Sequence, residues 1–382
     1  MPTAQPSTVT ASVAAVRAEL PFIVGSITLA LFYFAGDDWL KGLDDPIMAA
    51  AYFLWLFVAM LWAAFGVVRH ADALAEQLGE PYGTLILTLA VIGIEVSLIS
   101  AVMLAGEASP TLARDTMHAV LMIVLNGLVG AALLIGGIYH REQDYNLQGA
   151  RSFIAVLMPL AVISLILPKF TVSTAAPTFS PLQEAFLVAM AALLYGVFLA
   201  VQTVSHSDYF QEPNANAEIK KLEAKHQGRG PTRSLTYHTV LLFLTLLPIV
   251  LLSKKFATLV DFGIVSTGAP IALGGVVIAL LVLTPEGLAA LRAARANHLQ
   301  RSVNLLLGAA LSTIGLTVPA AISISFVIGQ PIILGLDDAS SVLLLLTLIM
   351  SALTFGGVRT GVLQGAVHLV LFLAYLMLIF AP

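Results

Sequence analysis

The chain has 382 residues, 59% hydrophobic and 10% charged, with a net charge of −4 and no cysteine. A soluble domain carries about 25% charged residues, so this composition excludes an ordinary aqueous globule and describes an all-α polytopic membrane protein. The missing cysteines exclude disulfides, thiol catalysis and Cys-based zinc or iron–sulfur centres.

Residues 1–19 are rich in Ala, Ser and Thr and carry no apolar run before Arg17, so they read as a flexible tail rather than a signal peptide. A span of about 20 apolar residues crosses a bilayer. Reading for such runs predicts about eleven transmembrane helices. They are Leu20–Ala35, Pro46–Val68, Thr84–Ala105, Met117–Ile138, Phe153–Pro168, Pro181–Val204, Leu235–Leu252, Pro270–Leu291, Ser302–Ile328, Ser340–Phe355 and Gly361–Phe380. Residues 205–234 form one polar loop of mixed charge. Within it, 217–226 has the composition of a short surface helix, although a solvated linker is the plainer reading.

Lys and Arg mark the cytoplasmic side. With the N-terminus inside, 13 of the 18 basic residues fall on one side and five on the other: Lys41, Arg114, Lys169, Lys254 and Lys255. The expected topology is therefore N-terminus cytoplasmic, C-terminus periplasmic and the 205–234 loop cytoplasmic, in a bacterial inner membrane.

Setting aside the peripheral first helix and its loop (20–45), two five-helix units remain, 46–204 and 235–382. An odd number of spans per unit places the second upside down relative to the first. Weak echoes support such a repeat. Gly79-Glu-Pro81 precedes the span of Glu95, and Gly268-Ala-Pro270 precedes the span of Glu286. Leu182-Gln-Glu-Ala185 is echoed by Leu363-Gln-Gly-Ala366. Inverted repeats place a transporter's site near the midplane at the repeat interface.

Glu95 and Glu286 are the carbon-rich spans' outstanding residues. An ionised side chain at the bilayer centre costs a few kcal/mol or more, so such residues are functional candidates. Thr88 and Thr84 lie on the helical face of Glu95. Thr284 and Pro285 precede Glu286, and Pro285 frees a carbonyl one turn earlier. The following helices add Asn126 in one unit and Asn304, Ser312, Thr313 and Thr317 in the other. Hard cations take carboxylate, hydroxyl and carbonyl oxygens. The expected ion and proton site is thus Glu95, Glu286, Thr84, Thr88, Thr284, Asn126, Ser312 and Thr313, with the two glutamates as metal ligands. Glu286, by span counting, lies nearer an end than Glu95, and a bend at Pro285 is expected to bring it inward. His118 and His368 read as packing residues. Proton and cation compete for the same carboxylate oxygens, which gives coupled exchange a physical basis.

The stretch Gly79-Glu-Pro-Tyr-Gly-Thr-Leu-Ile-Leu-Thr-Leu-Ala-Val-Ile-Gly-Ile-Glu-Val-Ser-Leu-Ile-Ser100 resembles the first signature region of bacterial calcium/proton antiporters, in the cation-exchanger branch of the calcium:cation antiporter superfamily. Leu283-Thr-Pro-Glu-Gly-Leu288, followed by Asn304-Leu-Leu-Leu-Gly308, resembles the second. The resemblance implies one peripheral helix plus two inverted five-helix repeats, and Glu95 and Glu286 carrying ion and proton. The family's usual Gly-Asn ahead of the first glutamate is absent, and the central loop is mixed rather than strongly acidic.

The expected function is a proton-coupled antiporter for Ca2+, with Na+ or K+ as further substrates, and no cofactor. The expected partners are small inorganic cations and membrane lipid, with no nucleic acid. A sodium-driven or other-cation exchanger of the same fold is the alternative. An intramembrane enzyme is a remote one, since the chain has no H-E-x-x-H, G-x-S-x-G or G-x-G-D.

Overall fold

The computed structural model describes residues 17–41, 43, 45–79, 82–104, 111–175, 177–213, 233–329, 331–357 and 359–381. The expected surface helix at 217–226 lies outside them.

Among the described residues the chain is a bundle of helical segments in the order α1 (Leu20–Phe34), α2 (Gly36–Lys41), α3 (Pro46–Leu78), α4 (Tyr82–Leu104), α5 (Leu112–His140), α6 (Leu147–Lys169), α7 (Pro181–Ser205), α8 (Leu235–Thr267), α9 (Ala272–Arg295), α10 (Leu299–Ile328), α11 (Asp338–Thr354) and α12 (Val362–Phe380). Eight are long and apolar enough to cross a bilayer, and α1, α11 and the central part of α4 are shorter apolar helices. The short α2 carries Asp37, Asp38 and Lys41.

The starts and stops follow local chemistry. Pro46 sits in the first turn of α3, where Asp45 caps the helix by accepting from Ile47 N at 2.8 Å. Ser234 caps α8 from Tyr237 N at 3.2 Å. Gly79 (φ 66°) and Gly268 (φ 67°) end α3 and α8 in the left-handed region that glycine tolerates. Both helices run 33 residues, well past the apolar spans expected at Pro46–Val68 and Leu235–Leu252. In α3 no Gly or Pro intervenes between Val68 and Gly79, and α8 continues through Pro248 and Gly263 to Gly268, so polar turns extend each helix to about 50 Å, beyond the roughly 30 Å hydrocarbon core.

Contacts between helix ends sort into two sets. At one end, Arg69 of α3 pairs with Glu19 before α1 at 2.7 Å, and His140 of α5 meets the Arg295 carbonyl of α9 at 2.8 Å. There too a two-stranded antiparallel ribbon pairs β1 (Glu142–Asp144), after α5, with β2 (Arg359–Gly361), after α11. At the other end, Lys255 pairs with Asp37, Lys169 with Asp338 at 2.5 Å, and Arg114 donates to the Gly335 carbonyl at 2.7 Å. This is the partition that alternating crossings require.

Two apolar cores divide the bundle. One joins α1, α3 and α8 with parts of α4 and α9, around Phe32, Leu56, Met60 and Phe256. The other joins α5, α6, α7, α10, α11 and α12, around Met117, Leu121, Phe153 and Leu311. Glycines bring α5 and α12 into close contact: a Cβ on Gly365 would lie 2.5 Å from Leu134 N, and one on Gly137 2.6 Å from Val362 N.

Candidate functional site

Glu95 stands nine residues before Leu104, the end of α4, and Glu286 nine residues before Arg295, the end of α9. The two glutamates thus occupy the same place in their helices, and Glu286 is no nearer an end than Glu95. Glu286 lies within electrostatic reach of Glu95. The helix of Glu286 runs unbroken through Pro285.

The helix after each glutamate contains a π-helical segment, Ile123–Leu128 in α5 and Thr313–Thr317 in α10. A π turn inserts one residue and shifts the facing side chains, and such bulges cluster at functional sites. In α10 the insertion aims two hydroxyls at one carboxylate. Thr313 and Thr317 Oγ1 donate to Glu95 Oε2 at 3.1 and 3.0 Å. Pro319, just beyond the segment, has no N–H and leaves a carbonyl one turn back without its helical donor. The α5 segment packs on the residue after the other glutamate: a Cβ on Gly287 would sit 2.9 Å from Leu128 Cδ2.

Glu95 is 2% exposed. Glu95 Oε1 and Glu286 Oε2 are buried without a hydrogen-bond partner among the described residues. Buried polar atoms are almost always satisfied, so these two carboxylate oxygens have coordination to spare. Glu286 lines a cavity of about 640 Å³ together with Thr88, Tyr195, Ser312, Asn304 and Arg301. Tyr195 hydrogen-bonds Thr88 and packs its ring on Gly315 inside the α10 π segment. The cavity runs to Ser207, Gln211 and Glu212, at the end of the bundle holding the β1–β2 ribbon. Its rim is tied by Asn304 Nδ2 donating to the Phe210 carbonyl at 2.7 Å and Gln300 Nε2 donating to Asn304 Oδ1 at 2.8 Å.

Of the expected site residues, Glu95 and Thr313 are directly bonded, and Glu286, Thr88 and Ser312 share the cavity. Ser312 also returns its hydroxyl to the Ala309 carbonyl at 2.9 Å. Two expectations are corrected. Thr284 donates to the Leu280 carbonyl of its own helix at 2.5 Å, the common back-bond of a helical threonine to the carbonyl one turn before it. Asn126 belongs to a different polar cluster, donating to Thr347 Oγ1 at 2.8 Å and meeting His368 Nδ1 at 3.2 Å, while His368 Nε2 meets Thr354 Oγ1 at 2.9 Å. The side chain of Thr84 lies outside the described set. Thr317, named above only among the polar groups of its helix, bonds Glu95 directly, and Tyr195 is the residue at the cavity that the expectation missed. The Thr313-x-Gly-x-Thr317-x-Pro319 pattern is the signal for the first, because Thr residues four apart ahead of a proline mark a distorted helix face.

Replacing both threonines with valine removes two donors to a buried carboxylate. Hydrogen bonds to charged groups contribute about 1.5–3 kcal/mol each. If Glu95 is a cation ligand, Thr313→Val/Thr317→Val is expected to weaken apparent cation affinity at least about tenfold with the protein still folded, as read from the cation concentration giving half-maximal transport.

The pattern of the sodium/calcium exchanger protein family matches residues 48–204 and 237–381. The chain belongs to the sodium/calcium exchanger family. The two matched segments meet at the polar 205–234 loop. Within the family, the chain is 41% identical over 336 residues to the sodium-potassium/proton antiporter ChaA of Escherichia coli (strain K12), covering 88% of this chain and 90% of that one. It is also 41% identical over 322 residues to the putative ionic transporter y4hA of Sinorhizobium fredii (strain NBRC 101917 / NGR234), covering 84% of this chain and 86% of that one. Its fold is similar to the crystal structure of the H+/Ca2+ exchanger CAX, with a TM-score of 0.67 at 14% identity, over 94% of this chain and 88% of that one. The sodium/calcium exchanger fold is therefore present along nearly the whole chain.

Proposed function

We propose that this protein exchanges small inorganic cations for protons, with Na+ and K+ as its principal cations, at a site built from Glu95 and Glu286. The observation carrying the reading is the pair of buried, incompletely bonded carboxylate oxygens on matched helices, Glu95 Oε1 and Glu286 Oε2. The order of cations differs from the calcium-first expectation because the sodium-potassium/proton antiporter shares 41% identity with this chain. Calcium is the second reading, favoured by the presence of two carboxylates, whose combined charge balances one divalent ion.

The chemistry follows from competition. An empty site with two ionised carboxylates in an apolar surround is costly, and either a cation or protons relieve that cost. A carrier whose doubly charged empty form does not reorient must return loaded with the other ligand, which is obligatory exchange. Thr313 and Thr317 hold Glu95 Oε2 in place, leaving Oε1 to face the ligand. Residues 46–204 and 235–382 act as the two inverted halves around this site, after a peripheral helix at 20–45. The excess of Lys and Arg supports assigning the 205–234 loop and the cavity mouth to the cytoplasm of a bacterial inner membrane.

The experiment is ion-induced collapse of a preformed pH gradient in everted vesicles. Addition of Na+, K+ and Ca2+ in parallel is expected to dissipate the gradient, with the monovalent cations the more effective. Absence of any response to all three sinks the exchange reading, and a response to Ca2+ alone replaces the proposed order with the second reading.

A further inference from the structure

A cluster of ionisable side chains joins the ends of α1, α3 and α8 and takes no part in the glutamate site. Glu19 is its hub. Its Oε2 accepts from Arg69 Nη2 at 2.7 Å, and its Oε1 accepts from the Tyr237 hydroxyl at 2.6 Å and from Arg233 Nη1 at 3.4 Å. His70, 1% exposed, lies with Nε2 at 3.1 Å from Glu19 Oε2 and 3.0 Å from Arg69 Nη2. Its other nitrogen, Nδ1, is 3.1 Å from Nδ1 of His238 on α8.

Two ring nitrogens at that distance are hydrogen-bonded, and one must carry the proton while the other offers a lone pair. If both rings are imidazolium, two N–H groups and two positive charges face each other. Glu19 is the carboxylate acting on both rings, and Arg69 acts on both against it, joined by Arg233 on His238. The groove beside Arg69 adds Asp72 and Glu76 of α3 and Arg292 of α9. One carboxylate shared among two arginines, a tyrosine and a histidine has little capacity left for a second imidazolium. The paired contact therefore holds with one proton between the rings and fails with two. A free imidazole gains its second proton near pH 6.5, and burial together with Arg69 and Arg233 pushes that step lower in this pair.

We propose that the His70–His238 pair is a second proton-binding site, separate from the glutamates, whose protonation releases the start of α8 from α3. The release reaches the exchange site through packing, because α3 and α8 both lie against α4, which carries Glu95, and α9, which carries Glu286.

The chain has no cysteine, so a single introduced thiol reports the contact cleanly. Leu242, one turn along α8 from His238, is 5% exposed, whereas Val240 is 49% exposed. Leu242→Cys and Val240→Cys are each labelled with a maleimide in the full-length protein, and the ratio of their rates cancels the pH dependence of the thiolate itself. The ratio is expected to stay low near pH 7.5 and to rise several-fold as the pH falls to about 4, the range in which the buried His70 takes its second proton. His238→Asn keeps an amide at the Nδ1 position but cannot take the second proton, so in that background the ratio is expected to stay flat. His70→Asn serves as the second variant, since losing either ring removes the pair. A ratio that is flat with pH in the parent, or that rises equally in both Asn variants, overturns the proposal. Labelling needs no transport, so its outcome is independent of whether the exchange reading holds.

Discussion

Glu95→Gln is expected to reduce cation/proton exchange to background while the protein still reaches the membrane. The amide is nearly isosteric with the carboxylate, and its oxygen still accepts from Thr313 and Thr317, whose hydroxyls now reach Glu95 Oε2 at 3.1 and 3.0 Å. The fold therefore keeps its hydrogen bonds. What the amide lacks is the charge that attracts a cation and the basicity that takes a proton, and exchange requires both in one group. Glu286→Gln is expected to do the same, because Glu286 occupies the matching place on α9 and faces the cavity. The measurement is gradient collapse in everted vesicles at equal protein content. Near-normal exchange in Glu286→Gln alone would leave Glu95 as the sole exchanging carboxylate, and near-normal exchange in both would remove the pair from the mechanism.

Gly365→Val is expected to be the most destabilising of the single substitutions considered, through packing rather than chemistry. A Cβ at Gly365 would lie 2.5 Å from Leu134 N and 2.8 Å from the Gly130 carbonyl oxygen, both backbone atoms of α5. Backbone does not swing aside as a flexible side chain does, so α5 and α12 must separate along the crossing. Overpacking costs about 1–3 kcal/mol in ordinary cores, and a clash with main chain lies at or above the upper end. The separation also disturbs Asn126 of α5 and His368 of α12, whose contact bridges the same helices, and through Asn126 its bond to Thr347 of α11. Gly196→Val on α7 is the control, since nothing lies within 4 Å of the corresponding Cβ. Thermal unfolding followed by size-exclusion in detergent should show a clear loss for Gly365→Val and little change for Gly196→Val. Equal stability of the two would refute the packing argument.

Much of this was legible in the chain. Apolar runs long enough for a bilayer announced most of the crossings, because hydrocarbon forces the backbone to satisfy its own hydrogen bonds in helices. Glu95 and Glu286 stood out because a charge in such a run has no cheap reason to be there. Local polar residues were a poorer guide. Thr284 sits two residues from Glu286 and Asn126 lies on the helix after Glu95, yet one bonds its own helix and the other bonds α11 and α12. Proximity in sequence says which face is available only while the helix stays regular, and the π segments of α5 and α10 break that regularity.

The sequence by itself determined the membrane class, the family and which two glutamates stand out in apolar spans, since each depends on local hydropathy, on a rare residue type or on an ordered motif. Tertiary structure alone decided that Thr313 and Thr317 serve Glu95 from the opposite half of the chain, that Tyr195 closes on Thr88, and that His70 meets His238. Those pairings arise from helices separated by more than a hundred residues, and their register is set by glycine contacts and inserted π turns. No local pattern encodes the meeting of two such surfaces until they are packed together.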